Sequence, residues 1–169
     1  MTVTARALIL LLPLLLTACG YSLRGSANLD ERFTALQVNV LQPNSELGRQ
    51  LQNSLQAAGL EFELVTSLVA AEDTLLLMVA DEQSVRRPVT INPRARAAQY
   101  EIRLAVDFIL MDGETALIPR ETLTVERSYF EDIENIAGSR EEMEIVTSEM
   151  RRDLVNLLIR RLEATEIAA

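Results

Sequence analysis

The stretch Gln99–Met111, QYEIRLAVDFILM, decides the fold. Its apolar side chains fall at every second position, namely Tyr100, Ile102, Leu104, Val106, Phe108 and Leu110. A period of two is that of a β-strand with one buried face, because successive side chains point to opposite sides of a sheet. The Asp112-Gly113 pair that follows is typical of a tight hairpin turn. We therefore expect residues 119–130 to return as the partner strand.

Upstream of this hairpin, the pattern predicts three more strands and one helix. Alternating residues predict strands over 36–40 and 60–65, and an apolar run that becomes polar predicts a third over 74–85. Between the first two strands, the stripe of Leu47, Leu51 and Leu55 has the spacing of a helix. Asn44 or Ser45 is expected to cap its start, and Gly59 to end it in a left-handed conformation. Residues 86–98, with Pro88 and Pro93, are expected to form a turn region that fits the tip of a long hairpin.

The C-terminal part predicts a second, longer helix. Ser139-Arg140-Glu141-Glu142 has the form of a capping box, and an apolar stripe follows at Met143, Val146, Met150, Leu154, Leu158 and Leu162. The predicted order is β-α-β-β-β-β-α, and a sheet with one apolar face needs helices to cover that face. We predict an α+β fold: a two-layer sandwich with a largely antiparallel sheet of four to five strands and two helices packed on one face.

Composition argues against several classes of function. The chain has 16 basic and 25 acidic residues and a net charge of −9, which disfavours nucleic-acid binding. It has no His and a single Cys. Catalysis by Ser-His-Asp or Cys-His groups, zinc sites built from His and Cys, and internal disulfides are therefore excluded. A hydrolase that uses only carboxylates remains as the weakest alternative, so we expect no enzyme, no catalytic residue, no metal site and no cofactor.

Residues 1–18 have the pattern of an export signal. Arg6 precedes an apolar run, Ala7–Leu16, that is too short to cross a hydrocarbon core of ~30 Å, for which ~20 helical residues are needed. Small residues then lead directly into Cys19, as in a bacterial lipobox. We expect removal of residues 1–18 and a covalent lipid on Cys19, and the Gly20 that follows favours the outer membrane. The alternative is that Cys19 is incidental and lies near an ordinary cleavage site.

These expectations divide the chain into four parts. Residues 1–18 are the cleaved signal peptide, and residues 19–34 are the lipidated N-terminus and a polar tether. Residues 35–165 are expected to form one α+β periplasmic domain, since their number suits a single core. Residues 166–169 are a short tail.

The segment Cys19–Gly25, CGYSLRG, resembles the start of the mature chain in the LptE family of lipopolysaccharide-assembly lipoproteins. Three later stretches agree with that family in the same order, namely Ala98-Gln99-Tyr100, Arg127-Ser128-Tyr129-Phe130, and Glu149-Met150 with Ile159-Arg160-Arg161-Leu162. The predicted order of strands and helices also agrees. The resemblance therefore spans essentially the whole mature chain, and its specificity comes from the combination of the motifs.

The resemblance implies a non-enzymatic subunit that pairs with the large β-barrel LptD. Such proteins lie largely inside the barrel as a plug, assist its assembly and bind lipopolysaccharide during its delivery to the outer leaflet. An accessory lipoprotein of another outer-membrane assembly machine, such as the β-barrel insertion complex, is the alternative.

The resemblance also implies particular contact residues. The family's lipid-contacting basic residues match Arg94 or Arg96, and Arg140, and arginine suits the phosphates of lipid A. Arg86 and Arg87, on the strand before the turn, complete a local basic cluster. Contact with LptD, or simple solvation, is the alternative for these arginines.

Two further segments have a predicted role. The resemblance implies that Tyr21, Leu23 and Arg24 dock on the barrel or on the domain, and the alternative is a flexible linker. Tyr129 and Phe130 are expected in the sheet core or in sheet–helix packing.

Overall fold

The computed structural model describes residues 33, 35–91, 97–131 and 135–165. In this part of the chain the elements follow the order β1 (Leu36–Val40), α1 (Glu46–Ala57), β2 (Phe62–Leu64), β3 (Leu75–Val79), β4 (Gln83–Ile91), β5 (Ala97–Asp112), β6 (Thr115–Phe130) and α2 (Ile136–Glu163). The signal peptide, residues 19–32 and 34 of the predicted tether, residues 92–96 with Arg94 and Arg96, and the tail lie outside the described residues. Phe33, which the prediction placed in the tether, is buried in the core at 2% exposure. Neither described helix combines the length and apolar character needed to cross a membrane.

Strand β5 is the central strand of the sheet and pairs with β3, β4 and β6. Strand β6 pairs with it antiparallel along almost its whole length, from Gln99 opposite Phe130 to Asp112 opposite Thr115. On the other edge of β5, β3 pairs with the C-terminal part and β4 with the N-terminal part, both antiparallel. Strand β1 is parallel to β2 and to β3. The predicted α+β fold is confirmed, but the described sheet has six strands where four to five were predicted. It is mixed because α1 carries the chain back over the sheet between β1 and β2.

Two predicted boundaries around the central hairpin were wrong. The single strand expected over 74–85 is two strands, interrupted between Val79 and Gln83. Most of the expected turn region 86–98 is strand, because β4 continues to Ile91 and β5 begins at Ala97. Pro88 is tolerated there since β4 pairs only with β5 among the described strands, and the register shifts just after Pro88.

A third boundary error concerns β6, which begins at Thr115 and not at residue 119 or 120. Pro119 lies within the strand at an irregularity: Phe108 pairs with Glu121 and Leu110 pairs with Ile118, so that two residues of β6 oppose one of β5. Ile118, which the prediction placed outside the strand, is fully buried.

Both helices cover the same face of the sheet. The buried apolar side chains of β5, with those of β1 and β3, meet the stripe Leu47, Leu51 and Leu55 of α1 and the stripe Met150, Leu154, Leu158 and Leu162 of α2. We call this side the helix face and the opposite side the outer face. The predicted apolar stripes and the predicted buried face of β5 are confirmed.

Local hydrogen bonds determine where each helix begins. Ser45 caps α1 through its hydroxyl, which accepts from the Gly48 N–H at 3.0 Å, and Gly59 has the expected positive φ of 80°. The capping box expected at Ser139 was wrong: α2 begins at Ile136, capped by the Asn135 side chain, which accepts from the Gly138 N–H at 3.0 Å. The Ser139 N–H already donates to the Asn135 carbonyl, and so belongs to the first turn.

Candidate functional site

One end of the sheet brings together the elements that flank most of the predicted contact residues. Strand β4 ends there, β5 begins, β6 ends, and α2 begins a few residues after Phe130. Arg140 lies on the second turn of α2 and is exposed. Arg94 and Arg96 lie outside the described residues, in the five-residue segment between the end of β4 at Ile91 and the start of β5 at Ala97. We call this end of the sheet the basic end.

A clamp of four side chains holds the basic end. The Arg86 guanidinium carbon lies 3.6 Å from the ring centre of Tyr100 and 5.3 Å from that of Tyr129. The two rings stack at 5.9 Å between centres, with 21° between their planes. One Arg86 nitrogen donates to a Glu131 carboxylate oxygen at 2.8 Å. The clamp therefore ties β4, β5, β6 and Glu131, the residue directly after β6, to one another.

Burial shapes the electrostatics of the clamp. Desolvation raises the pKa of the Tyr129 hydroxyl above its usual value, while the nearby Arg86 charge acts in the opposite direction. The phenol is thus neutral at physiological pH, and the Arg86 charge is balanced by Glu131. Arg87, on the other side of the strand, pairs with Glu101 at 2.7 Å. Arg86 and Arg87, which the sequence analysis placed in a local basic cluster, are therefore both engaged by carboxylates.

Of the two aromatic residues at the end of β6, only one lies where it was expected. Tyr129 is buried at 4% exposure, as predicted, whereas Phe130 is 68% exposed on the outer face. The prediction for Phe130 was wrong because neighbouring residues of a strand point to opposite faces. Once Tyr129 is placed on the buried face, the alternation of side chains along a strand places Phe130 on the exposed face.

Arg140 differs from most arginines of the domain. Ion pairs engage Arg127 with Glu149 and Asp153, Arg151 with Glu82, and Arg161 with Glu121, and these pairs fix α2 to the sheet. Within residues 35–91, 97–131 and 135–165, Arg140 forms no ion pair, and neither does Arg152 farther along α2. Arg140 is therefore an exposed cation at the basic end without an ion pair among the described residues, and its guanidinium can contact an anion.

The outer face carries no helix in the described part of the chain. Exposed apolar side chains, Val85, Val89 and Phe130, occur on it beside the Arg103–Glu126 ion pair at 3.3 Å. No group of three or more His, Cys, Asp or Glu side chains among the described residues is placed to hold a metal ion. In the described part of the chain, the sheet therefore has one face covered by helices and one open face.

Comparison with known proteins identifies relatives that match nearly the whole described part of the chain. The LptE family model, described as lipopolysaccharide-assembly, matches residues 33–162, from just before β1 through nearly all of α2. The LPS-assembly lipoproteins LptE of Pectobacterium atrosepticum and Photorhabdus laumondii are each 27% identical over 157 residues. The matched region is 92% of this chain and 83% of each relative's own length.

Solved structures share the fold. Rare lipoprotein B of Shewanella oneidensis superposes with a TM-score of 0.65 at 21% identity, covering 76% of this chain and 92% of its own. A minor lipoprotein of Acinetobacter baumannii superposes with a TM-score of 0.61 at 21% identity, covering 78% and 92%. At this identity the likeness shows a common architecture.

Proposed function

Because the chain belongs to the LptE family of lipopolysaccharide-assembly proteins, we propose that it is an outer-membrane lipoprotein that pairs with an LptD-type β-barrel and binds lipopolysaccharide. The observation that carries this proposal is the family match over residues 33–162, which includes both layers of the sandwich. The family match favours this function over an accessory role in another outer-membrane assembly machine.

Lipopolysaccharide contact is proposed at the basic end. The clamp fixes the strands that precede and follow Arg94 and Arg96 in the sequence, and the same end carries Arg140 without an ion pair in the described residues. A guanidinium recognises a phosphate through two parallel hydrogen bonds, and the phosphates of lipid A are such groups. In a chain with a net charge of −9, the proposed lipid contact rests on Arg140 together with Arg94 and Arg96, because carboxylates already pair with Arg86 and Arg87.

Barrel contact is proposed for the outer face and the tether. The outer face is open in the described part of the chain and combines apolar side chains with a paired charge, as interfaces between proteins do. Tyr21, Leu23 and Arg24 follow the proposed lipid anchor at Cys19 and are proposed to dock on the barrel or on the domain. The domain is then held at the inner side of the outer membrane, within the barrel.

Reversing the charge at Arg140 tests the lipid contact. Arg140→Glu is expected to lower the lipopolysaccharide that co-purifies with the chain by about three- to tenfold, since it replaces an attraction to phosphate with a repulsion. The measurement is immunoblotting of lipopolysaccharide against the amount of tagged full-length chain.

Arg152→Glu is the matched control, because Arg152 is also exposed on α2 and also lacks an ion pair within the described residues. It is expected to leave the bound lipopolysaccharide unchanged. An equal loss in both variants would show that only the overall charge matters and would remove Arg140 from the site.

A further inference from the structure

A groove lies at the end of the sheet where β1, β2 and β3 begin. Its volume is about 260 Å³, and its lining combines the apolar side chains of Ala35, Leu36 and Phe62 with the carboxylates of Glu61 and Glu63. The start of β3 pairs with the C-terminal end of β5, whereas the basic end lies at the N-terminal end of β5. The groove is therefore at the opposite end of the sheet from the surface proposed to contact lipopolysaccharide.

Hydrogen bonds fix the walls of this groove. The Leu75 N–H donates to the Ala35 carbonyl at 3.0 Å, which joins the start of β3 to the residue before β1. The side-chain oxygen of Gln37, on β1, accepts from the Ala71 N–H at 3.2 Å and so holds the loop before β3. A surface that is already fixed loses little conformational entropy when a ligand binds to it.

The two carboxylates of the groove differ in what engages them. The Gln37 amide donates to Glu63 at 3.5 Å. Glu61 is exposed and forms no ion pair with any residue in the described part of the chain. The groove thus fits an apolar side chain that has a cation next to it.

The chain enters the domain beside this groove. Phe33 is buried in the core, and Ala35, two residues later, lines the groove. The preceding residues 19–32 contain two cations, Arg24 and Arg32. The apolar neighbour of Arg32 is Phe33, which the core already holds, whereas the apolar neighbour of Arg24 is Leu23. Leu23 and Arg24 therefore match the groove in both polarity and charge.

We propose that the tether folds back onto the domain, with Leu23 in the apolar lining of this groove and Arg24 paired with Glu61. Attachment to the same chain gives the tether an effective concentration on the order of millimolar at the groove, so that a weak contact is enough to hold it. The proposal rests on the proposed function, which has the tether dock on the barrel or on the domain, and it decides for the domain.

The length of the tether permits this contact. Residues 25–32 are left to form the connecting loop, and they include Gly25, Ser26 and Asn28, which are residue types that favour turns. Extended residues 19–33 span at most ~50 Å, whereas Cys19 lies at most ~14 Å from a docked Leu23. Docking therefore holds the proposed lipid anchor close to one end of the sheet, with the basic end at the other.

Disulfide trapping in the full-length chain tests the proposal. Leu23→Cys combined with Thr74→Cys places one thiol in the tether and one in the groove lining. Leu23→Cys combined with Thr115→Cys is the matched control, because Thr115 is exposed at the same end of the sheet and within reach of a free tether. The periplasm, where the domain is proposed to lie, permits disulfides. We expect at least about fivefold more intramolecular disulfide with position 74 than with position 115, measured by mass spectrometry of non-reduced peptides.

Further variants separate failure of the docking from failure of the proposed function. Ala35→Cys supplies a second groove position if Thr74→Cys fails to fold. Thr74→Cys alone is expected to form no intramolecular disulfide, because the proposed lipid occupies the thiol of Cys19, and a disulfide there would contradict the anchor on which the proposal rests. The co-purifying barrel is measured in the same samples, so that a missing disulfide with the barrel retained overturns the docking alone.

The ion pair is tested by exchanging its charges. Arg24→Glu is expected to lower trapping at position 74 by about three- to fivefold, the range of an exposed ion pair that becomes a repulsion. Adding Glu61→Arg to that chain is expected to restore trapping, whereas adding Glu114→Arg, at another exposed carboxylate of this end, is expected to restore nothing.

Equal trapping at positions 74 and 115 would overturn the proposal, and so would a charge exchange at position 61 that restores nothing. Linkage of position 23 to another protein in place of position 74 would also overturn it.

Discussion

Phe108→Ala is expected to lower the free energy of unfolding by about 3–5 kcal/mol. Phe108 is 1% exposed and lies on the helix face of β5, opposite Val79 of β3 and Glu121 of β6. Its removal leaves a cavity where the sheet meets both helices, and a domain of this size has only ~5–15 kcal/mol of stability in total. The measurement is urea unfolding followed by circular dichroism, since the chain has no Trp for fluorescence.

The matched control is Val85→Ala, which shortens a 57% exposed side chain on the outer face and is expected to change stability by less than ~0.5 kcal/mol. An unchanged urea midpoint for Phe108→Ala would contradict the placement of Phe108 in the core. A change in the slope of the transition would instead point to an altered unfolded or native state.

Cys19→Ala is expected to abolish incorporation of radiolabelled palmitate and to release the chain from the outer-membrane fraction. Without the thiol there is no atom to carry the diacylglycerol thioether, and stable anchoring needs more than one acyl chain. Fractionation and autoradiography measure the two effects. Ser22→Ala, which alters the tether but keeps the proposed lipobox, is expected to retain both label and location.

Persistent palmitate labelling of Cys19→Ala would show that Cys19 is not the lipidation site. Loss of label with full retention at the membrane would show that the partner, and not the lipid, holds the protein there. The first outcome contradicts the anchor, whereas the second supports the barrel contact.

The periodic parts of the fold were predictable because burial imposes a regular pattern. Alternation over β5 identified its buried face, and the stripe from Leu47 to Leu55 identified α1. Parallel pairing of β1 with β2 and β3 was not predictable, because alternation reports which side chains are buried and not which strand lies alongside. Pro119 was misleading for a related reason: an irregularity within β6 accommodates it, so it does not mark the strand boundary.

The charged residues were less predictable than the core. The alternation of residues along β6 places Arg127 on the same face as Val125 and Tyr129, and the sequence alone offers no reason for a charge there. The structure supplies the cause, since Arg127 meets Glu149 and Asp153 of α2 at 3.3 and 2.6 Å. Likewise, Arg86 has its balancing carboxylate at Glu131, far away in the sequence. Such pairings depend on tertiary register, which a single sequence does not encode in any local pattern.

Purification of the tagged full-length chain from native outer membranes in mild detergent tests the central claim most directly. A tagged, unrelated outer-membrane lipoprotein carried through the same steps is the control for non-specific capture. We predict a stoichiometric complex with an LptD-type β-barrel that retains lipopolysaccharide. Recovery of the chain alone, or together with a different outer-membrane machine, would contradict the proposed function.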